Sequence, residues 1–139
     1  MTRWTCPRCD REFGRAHQAH VCVPGCTVDD VFAGRPATQR LIYNALMDHL
    51  ATLGPVHEDA VRVGVFLKRV RKLAEVRPKA RNLSVEIVLP RTIDHPRVAR
   101  IIRIAGDRVV HIVKLTRLDQ VDDELRGWLT EAYAAADEE

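Results

Sequence analysis

The chain has 139 residues, of which 46% are hydrophobic and 29% are charged, and its formal net charge is +3 at pH 7. This composition is typical of a globular protein that buries a core. No apolar run approaches the roughly 20 residues that a membrane-spanning helix needs, and the first residues contain no apolar signal segment. These features predict a cytoplasmic protein that does not bind membranes, and clustered cysteines in a reducing compartment are more often metal ligands than disulfides.

All four cysteines lie within the first 26 residues. Cys6 and Cys9 form a Cys-Pro-Arg-Cys pair, which places two thiolates on one tight turn, and zinc prefers four sulfur or nitrogen ligands in tetrahedral geometry. The second ligand pair must come from four further residues: His17, His20, Cys22 and Cys26. A segment this short rarely folds without a metal, a disulfide or a larger domain to pack against. We therefore predict a zinc-finger-like module over residues 1–26. The Zn²⁺ would be structural, because a closed four-ligand site leaves no position for water.

The remaining residues, 27–139, form the predicted main domain. Thr27 is suited to cap a short helix, Asp30 lies in its first turn, and the glycine at position 34 interrupts it. A longer helix is predicted over residues 38–53, where apolar residues recur at helical spacing: Leu41, Ile42, Ala45, Leu46, Leu50 and Leu53.

Between about residues 61 and 115 the pattern changes to the alternation that is typical of β-strands. Within residues 83–89, the apolar Leu83, Val85, Ile87 and Leu89 alternate with the polar Ser84 and Glu86. Residues 100–104 and 108–115 are two β-branched runs on either side of Gly106, which indicates a hairpin turn. We therefore predict a small, mainly antiparallel sheet of about four or five strands.

The last helix is predicted over residues 118–135. Asp119 is its expected N-cap, and further acidic residues in the first turn suit the positive end of the helix dipole. Its buried stripe is predicted to contain Val121, Leu125, Trp128, Leu129, Ala132 and Tyr133. This helix and the helix over residues 38–53 would pack on one face of the sheet, so the predicted fold class is α+β.

The modest net charge conceals an uneven distribution. Residues 62–81 contain eight basic residues and one acid, whereas residues 119–139 contain eight acids and one base. Seven of the basic residues are candidates for binding nucleic-acid phosphates: Lys68, Arg69, Arg71, Lys72, Arg77, Lys79 and Arg81. The alternative is a solvated strand face that the acidic helix partly neutralises. Aromatic residues make up only 5% of the chain, so a platform for stacking single-stranded bases is poorly supported.

His95 and His111 are the candidates for acid–base chemistry. His95 lies in a proline-containing loop, whereas His111 shares its strand parity with Val109 and Val113, which favours a packed histidine. The sequence contains no nucleophile elbow, phosphate loop or glycine-rich nucleotide motif. A small enzyme is therefore the less favoured alternative. We assign no catalytic residue and predict no nucleotide or organic cofactor.

Motifs spread over nearly the whole chain carry a family resemblance. In the N-terminal module they are Trp4-Thr5-Cys6-Pro7-x-Cys9-x-Arg11-x-Phe13 and Gln18-x-His20-x-Cys22. In the main domain they are Val28-Asp29-Asp30-x-Phe32-Ala33-Gly34, Leu89-Pro90-Arg91-x-x-Asp94-His95-Pro96-Arg97, Arg108-Val109-Val110-His111, and Leu118-Asp119 through Tyr133. Together they resemble a bacterial domain-of-unknown-function family, number 5655 (DUF5655), with an N-terminal zinc-finger-like element.

The resemblance implies a set of zinc ligands, but it does not imply a catalysed reaction. It implies Cys6, Cys9, His20 and Cys22 as the zinc ligands, with His17 and Cys26 as alternates. The family has no established activity. From the sequence we therefore predict a non-catalytic binding module with structural zinc, whose partner is a nucleic acid bound through residues 62–81 or another protein. The sequence does not define its oligomeric state.

Overall fold

The computed structural model describes residues 3–7, 11–19 and 26–137. In chain order its elements are β1 (Trp4–Thr5), β2 (Glu12–Phe13), α1 (Val28–Phe32), α2 (Ala37–Ala51), β3 (His57–Val61), β4 (Gly64–Lys68), β5 (Lys72–Pro78), β6 (Leu83–Leu89), β7 (Val98–Ala105), β8 (Arg108–Leu115), a 3₁₀ turn (Leu118–Gln120) and α3 (Asp123–Ala135). Strands β3 to β8 form one sheet in the spatial order β3-β4-β5-β6-β8-β7, and all of its strand pairs are antiparallel.

The α+β class and the antiparallel sheet are confirmed, but the predicted number of strands is too low. The main sheet has six strands, and β1 and β2 form a separate two-stranded sheet. Strand β3 is not apparent from the sequence, because its residues His57, Glu58 and Asp59 are polar and give no apolar alternation. Residues 69–71 form a turn, closed by the Arg69 N–H donating to the Arg71 carbonyl at 2.9 Å, so that β5 starts at Lys72.

The first two helices begin where the sequence predicts them. Thr27 accepts the Asp30 N–H at 3.1 Å, and the Asp30 carboxylate accepts the Thr27 N–H at 2.9 Å, which is a complete capping box. In α2 the buried face includes Ile42 and Leu46, whereas Leu41, predicted in the apolar stripe, is 53% exposed. Successive helical residues are about 100° apart, so Leu41 lies beside the buried stripe rather than within it.

Helix α3 starts later than predicted. Asp122, not Asp119, is its N-cap, and its carboxylate accepts the Leu125 N–H at 3.1 Å. The side-chain oxygen of Gln120 accepts the backbone N–H groups of Thr116 and Arg117 at 2.7 and 2.9 Å, which stabilises a separate 3₁₀ turn before the helix. All six residues of the predicted stripe are buried.

One hydrophobic core lies between the helices and one face of the main sheet, as the sequence predicts. Its largest fully buried side chains are Tyr43, Ile42, Leu46, Leu50, Leu67, Leu73, Leu83, Ile87, Leu89, Leu115, Leu125 and Leu129. The opposite face, here called the outer face, carries a row of cross-strand neighbours: Asp59, Phe66, Glu75, Glu86, Ile112 and Arg100. Among the described residues, no helix is long and apolar enough to cross a membrane.

Candidate functional site

The N-terminal residues form a small hairpin. Strands β1 and β2 pair antiparallel, with Trp4 opposite Phe13 and their ring centroids 6.0 Å apart. The Cys6 N–H donates to the Arg11 carbonyl at 2.9 Å, which extends the hairpin pairing as far as the buried Cys6. Cys6 is the first of the zinc ligands that the sequence predicts.

A buried carboxylate fastens this hairpin to the outer face. Asp59 is 2% exposed, and its two oxygens accept from Arg11 Nε at 2.9 Å and from Lys68 Nζ at 2.8 Å. Lys68 also donates to the Glu12 carbonyl at 3.2 Å, and the Glu12 carboxylate lies 2.9 Å from His57 Nδ1. Burial alone would raise the pKa of Asp59, but the hydrogen bonds from Arg11 and Lys68 outweigh burial and hold the pKa below its ordinary value.

The structure places three of the six candidate zinc ligands. Cys6 is buried in the hairpin, and the exposed His17 has its ring 5.1 Å from the Trp4 ring. Cys26 packs against the main core just before α1, and burial raises the pKa of its thiol. Within residues 3–7, 11–19 and 26–137, no three His, Cys, Asp or Glu residues form a group that could hold a metal. The other three candidates lie outside the described residues: Cys9, His20 and Cys22.

Most of the predicted phosphate-binding residues are paired with carboxylates. Lys68 is a partner of the buried carboxylate described above, and Lys72 Nζ lies 3.1 Å from Glu75 Oε1. Arg77 pairs with Glu75 and also lies 3.4 Å from Glu86. Glu75 is only 3% exposed, and burial together with the charge of Glu75 raises the pKa of Glu86. These basic side chains therefore neutralise acids on the outer face.

Arg69 is also engaged, at the C-terminal end of α3. Its Nη1 donates to the Tyr133 carbonyl at 3.1 Å, its guanidinium carbon lies 4.2 Å from the Tyr133 ring centroid, and it pairs with Asp137 at 3.2 Å. Three of the seven predicted residues form no ion pair with any described residue: Arg71, Lys79 and Arg81.

His111 is a packed residue, as its strand parity suggests. It is 1% exposed, its Nε2 accepts the Ile93 N–H at 3.0 Å, and its Nδ1 lies 3.1 Å from the Val109 carbonyl. This pairing fixes a neutral ring with its proton on Nδ1, because a carbonyl only accepts and a backbone N–H only donates. His111 therefore holds the loop of residues 90–97 on the sheet.

His95 belongs to that loop but contacts α3. Its Nε2 lies 2.9 Å from the Glu124 carboxylate, its Nδ1 accepts the Arg97 N–H at 3.1 Å, and its ring meets Trp128 edge-on at 5.3 Å. Arg97 in turn donates to Asp122 at 2.8 Å. The loop motif and the helix motif of the family resemblance therefore contact each other directly. Of the two histidines, only His95 reaches solvent.

Strand β7 is an exposed edge of the main sheet. Among the described residues it pairs only with β8, and seven of its eight residues are exposed. Ile101, Ile102 and Ile104 are 40%, 38% and 51% exposed. Arg100 and Arg103 lie among them and form no ion pair with any described residue. The β-branched run predicts the strand but not its exposure, and the two arginines within the run are the signal of an edge.

The fold defines the chain as an α+β domain with two long helices on one face of a six-stranded antiparallel sheet. A family model described as "Domain of unknown function (DUF5655)" matches residues 28–136. The chain therefore belongs to the DUF5655 family, which confirms the resemblance for the main domain. Neither a curated protein nor a solved structure gives a significant match.

Proposed function

We propose that this chain is a non-catalytic binding module that pairs β7 with an extended, acidic segment of a partner protein. The observation that carries the proposal is the exposure of Ile101, Ile102 and Ile104 on an edge strand eight residues long. An edge strand presents a row of backbone N–H and C=O groups that an added strand can pair. Ile102 and Ile104, which are two residues apart, would supply apolar contact for alternate side chains of that segment.

Charge favours an acidic segment over a second copy of this chain. Pairing β7 of two copies would bring Arg100 and Arg103 of both copies, four positive charges in all, together along one seam. Like charges directly opposite each other destabilise a strand pair, whereas opposite charges stabilise it. A segment that alternates acidic and apolar residues could place an acid opposite Arg103 and apolar residues opposite Ile102 and Ile104.

The test is fluorescence anisotropy with a labelled eight-residue peptide that alternates Glu and Val. A peptide that alternates Lys and Val is the charge-reversed control. The double variant Ile102→Thr/Ile104→Thr keeps strand propensity but removes apolar surface, and we expect it to bind the acidic peptide about tenfold more weakly. Val63→Thr, at a 59% exposed position before β4, is the matched control and should bind normally. Equal affinity for both peptides, or full binding by the double variant, would refute the proposal.

A nucleic acid is the second candidate partner. The supporting observation is that Arg71, Lys79 and Arg81 form no ion pair with a described residue. Labelled DNA and RNA, single- and double-stranded, should then bind with an affinity that falls steeply with salt. The double variant Lys79→Gln/Arg81→Gln should weaken binding and make the salt dependence shallower. Absence of binding at low salt would remove this candidate and leave the protein partner.

We also propose that structural zinc completes an N-terminal module over residues 1–26, with Cys6, Cys9, His20 and Cys22 as ligands. The sequence spacing of Cys6 and Cys9 supports this ligand set, because a Cys-x-x-Cys pair can place two thiolates on one tight turn. Zinc binding requires reduced thiols, which agrees with the cytoplasmic location that the sequence predicts. The metal content of the purified protein, measured by mass spectrometry, tests this proposal.

A further inference from the structure

A pocket of about 250 Å³ opens at one end of the main sheet, where β5 and β8 begin and β6 ends, beside the last turn of α3. One wall is cationic and the other is apolar. The cationic wall consists of Arg71, Lys72 and Arg108, and the apolar wall includes Pro90, Ala132 and Ala135. The small alanine side chains of the helix leave the space that the pocket occupies.

The cationic wall has more positive charge than its neighbours neutralise. Arg71 forms no ion pair with a described residue. Arg108 Nη2 donates to the Lys72 carbonyl at 2.9 Å, but the guanidinium group of Arg108 is not paired with a described carboxylate. Burial and the neighbouring Arg71 lower the pKa of Arg108. Lys72 pairs with Glu75, and Asp107 is the acid in the pocket lining. A bound anion would relieve this repulsion.

The side chain of Arg71 forms no hydrogen bond or ion pair with a described residue. The obvious structural role for a cation here is to cap the C-terminal end of α3. Arg69 already serves that end through the Tyr133 carbonyl, and the Ala136 carbonyl accepts two backbone N–H groups, from Val70 at 3.2 Å and from Arg71 at 3.1 Å. The guanidinium group of Arg71 is therefore not needed by the helix and lines the pocket instead.

We propose that this pocket binds a small phosphate monoester with a short apolar group. The planar guanidinium groups of Arg71 and Arg108, neither of which is paired with a described carboxylate, suit the oxygens of a phosphate. The apolar wall would contact the organic part of the ligand. The volume is below the roughly 300–1,000 Å³ of pockets for drug-sized molecules, which limits the ligand to a small one. This site uses none of the β7 residues proposed above to bind a peptide.

The test is isothermal titration calorimetry of the full chain with phenyl phosphate, inorganic phosphate and benzoate at constant ionic strength. We expect saturable binding that is tightest for phenyl phosphate. Arg71→Gln should weaken it about tenfold, as expected for the loss of one charged hydrogen-bonding partner. Arg126→Gln, which removes a surface arginine on α3 that is paired with Asp123, is the control for a change of charge alone and should bind normally.

A second variant fills the pocket without changing its charge. Ala135→Leu places a larger apolar side chain in the last turn of α3 and should abolish binding of phenyl phosphate while the circular dichroism spectrum stays unchanged. Three results would overturn the proposal: no saturable binding of any of the three anions, unchanged binding in both pocket variants, or tighter binding of benzoate than of phenyl phosphate. Arg71-dependent binding of a short oligonucleotide, tighter than that of phenyl phosphate, would instead assign the pocket to a nucleic-acid backbone.

Discussion

Replacing Asp59 with asparagine removes the negative charge that holds the N-terminal hairpin on the outer face. The Asp59 side chain is 1% exposed, and its partners Arg11 and Lys68 have side chains that are 11% and 12% exposed. Both ion pairs are short, with N···O distances of 2.9 and 2.8 Å. The Asp59→Asn variant therefore leaves two largely buried cations without a counter-charge.

The size of the effect follows from that burial. Removing one partner of a buried ion pair typically costs about 3–5 kcal/mol, because the remaining charge stays desolvated. Asparagine can still accept one hydrogen bond, so we expect a loss near the lower end, about 3 kcal/mol. Total unfolding free energies of small domains are only about 5–15 kcal/mol, so this loss is large enough to measure without ambiguity.

Urea denaturation followed by circular dichroism measures the loss. The matched control is Asp119→Asn, because the ion pair of Asp119 with Arg117 is exposed, with side chains 75% and 67% accessible, and such pairs contribute about 0–1 kcal/mol. A loss below about 1 kcal/mol in Asp59→Asn would refute the assignment of Asp59 as the anchor.

The pH dependence of stability supplies a second readout of the same group. The folded pKa of Asp59 lies below its ordinary value of 3.8. Its contribution to the unfolding free energy is therefore fully present above the ordinary pKa and is lost as the pH falls through the folded pKa. The Asp59→Asn variant should lack this part of the acid destabilisation. An identical acid-side profile in both proteins would contradict the ion-pair assignment.

Three further predictions address the metal, a cap and a turn. Cys9→Ser should lower the zinc content of the purified protein to near zero, and full retention of zinc would exclude the proposed ligand set. Asp122→Ala removes both the N-cap of α3 and the partner of Arg97, so urea denaturation should show a loss of about 1–2 kcal/mol. Gly54→Ala should lower the melting temperature, because Gly54 has a φ of +150° and an added Cβ would clash with the Tyr133 hydroxyl. An unchanged melting temperature would contradict the close approach of Gly54 to Tyr133.

The helices and the hydrophobic core can be predicted from the sequence, because the spacing of apolar residues alone defines them. Every residue of the predicted stripe of α3 is buried, and Thr27 caps α1 as expected. The sequence predicts Asp119 rather than Asp122 as the N-cap of α3, because several acidic residues precede the helix. Only the hydrogen bonds of the Gln120 side chain show that a separate turn comes first. Local sequence signals therefore located the helices better than their exact ends.

The candidate sites are harder to predict from the sequence, because they depend on which residues contact each other across the sheet. A row of basic residues in sequence indicates a phosphate-binding surface, yet Lys72 and Arg77 pair with the buried Glu75 on the same strand. Alternation along β5 carries no information about a pairing of this kind. The pocket combines Arg71 with Arg108, which are 37 positions apart in the printed sequence, and only the strand order β5-β6-β8 brings them together.

Most charged residues of the main-domain family motifs have a partner within the fold, and one, Arg108, has no described carboxylate partner. Arg91 forms two hydrogen bonds to the Glu131 carboxylate, at 2.9 and 3.0 Å, and Arg97 pairs with Asp122. His111 accepts a hydrogen bond from the Ile93 N–H of the same loop. These side chains have internal partners, so packing of the loop on α3 is sufficient reason for their presence. Arg108 is different, because its guanidinium contacts a backbone carbonyl and lines a pocket but meets no described carboxylate. A half-buried arginine whose charge the fold does not neutralise is costly unless something else supplies the anion. Arg108 is therefore the motif residue that the anion proposed for the pocket would engage.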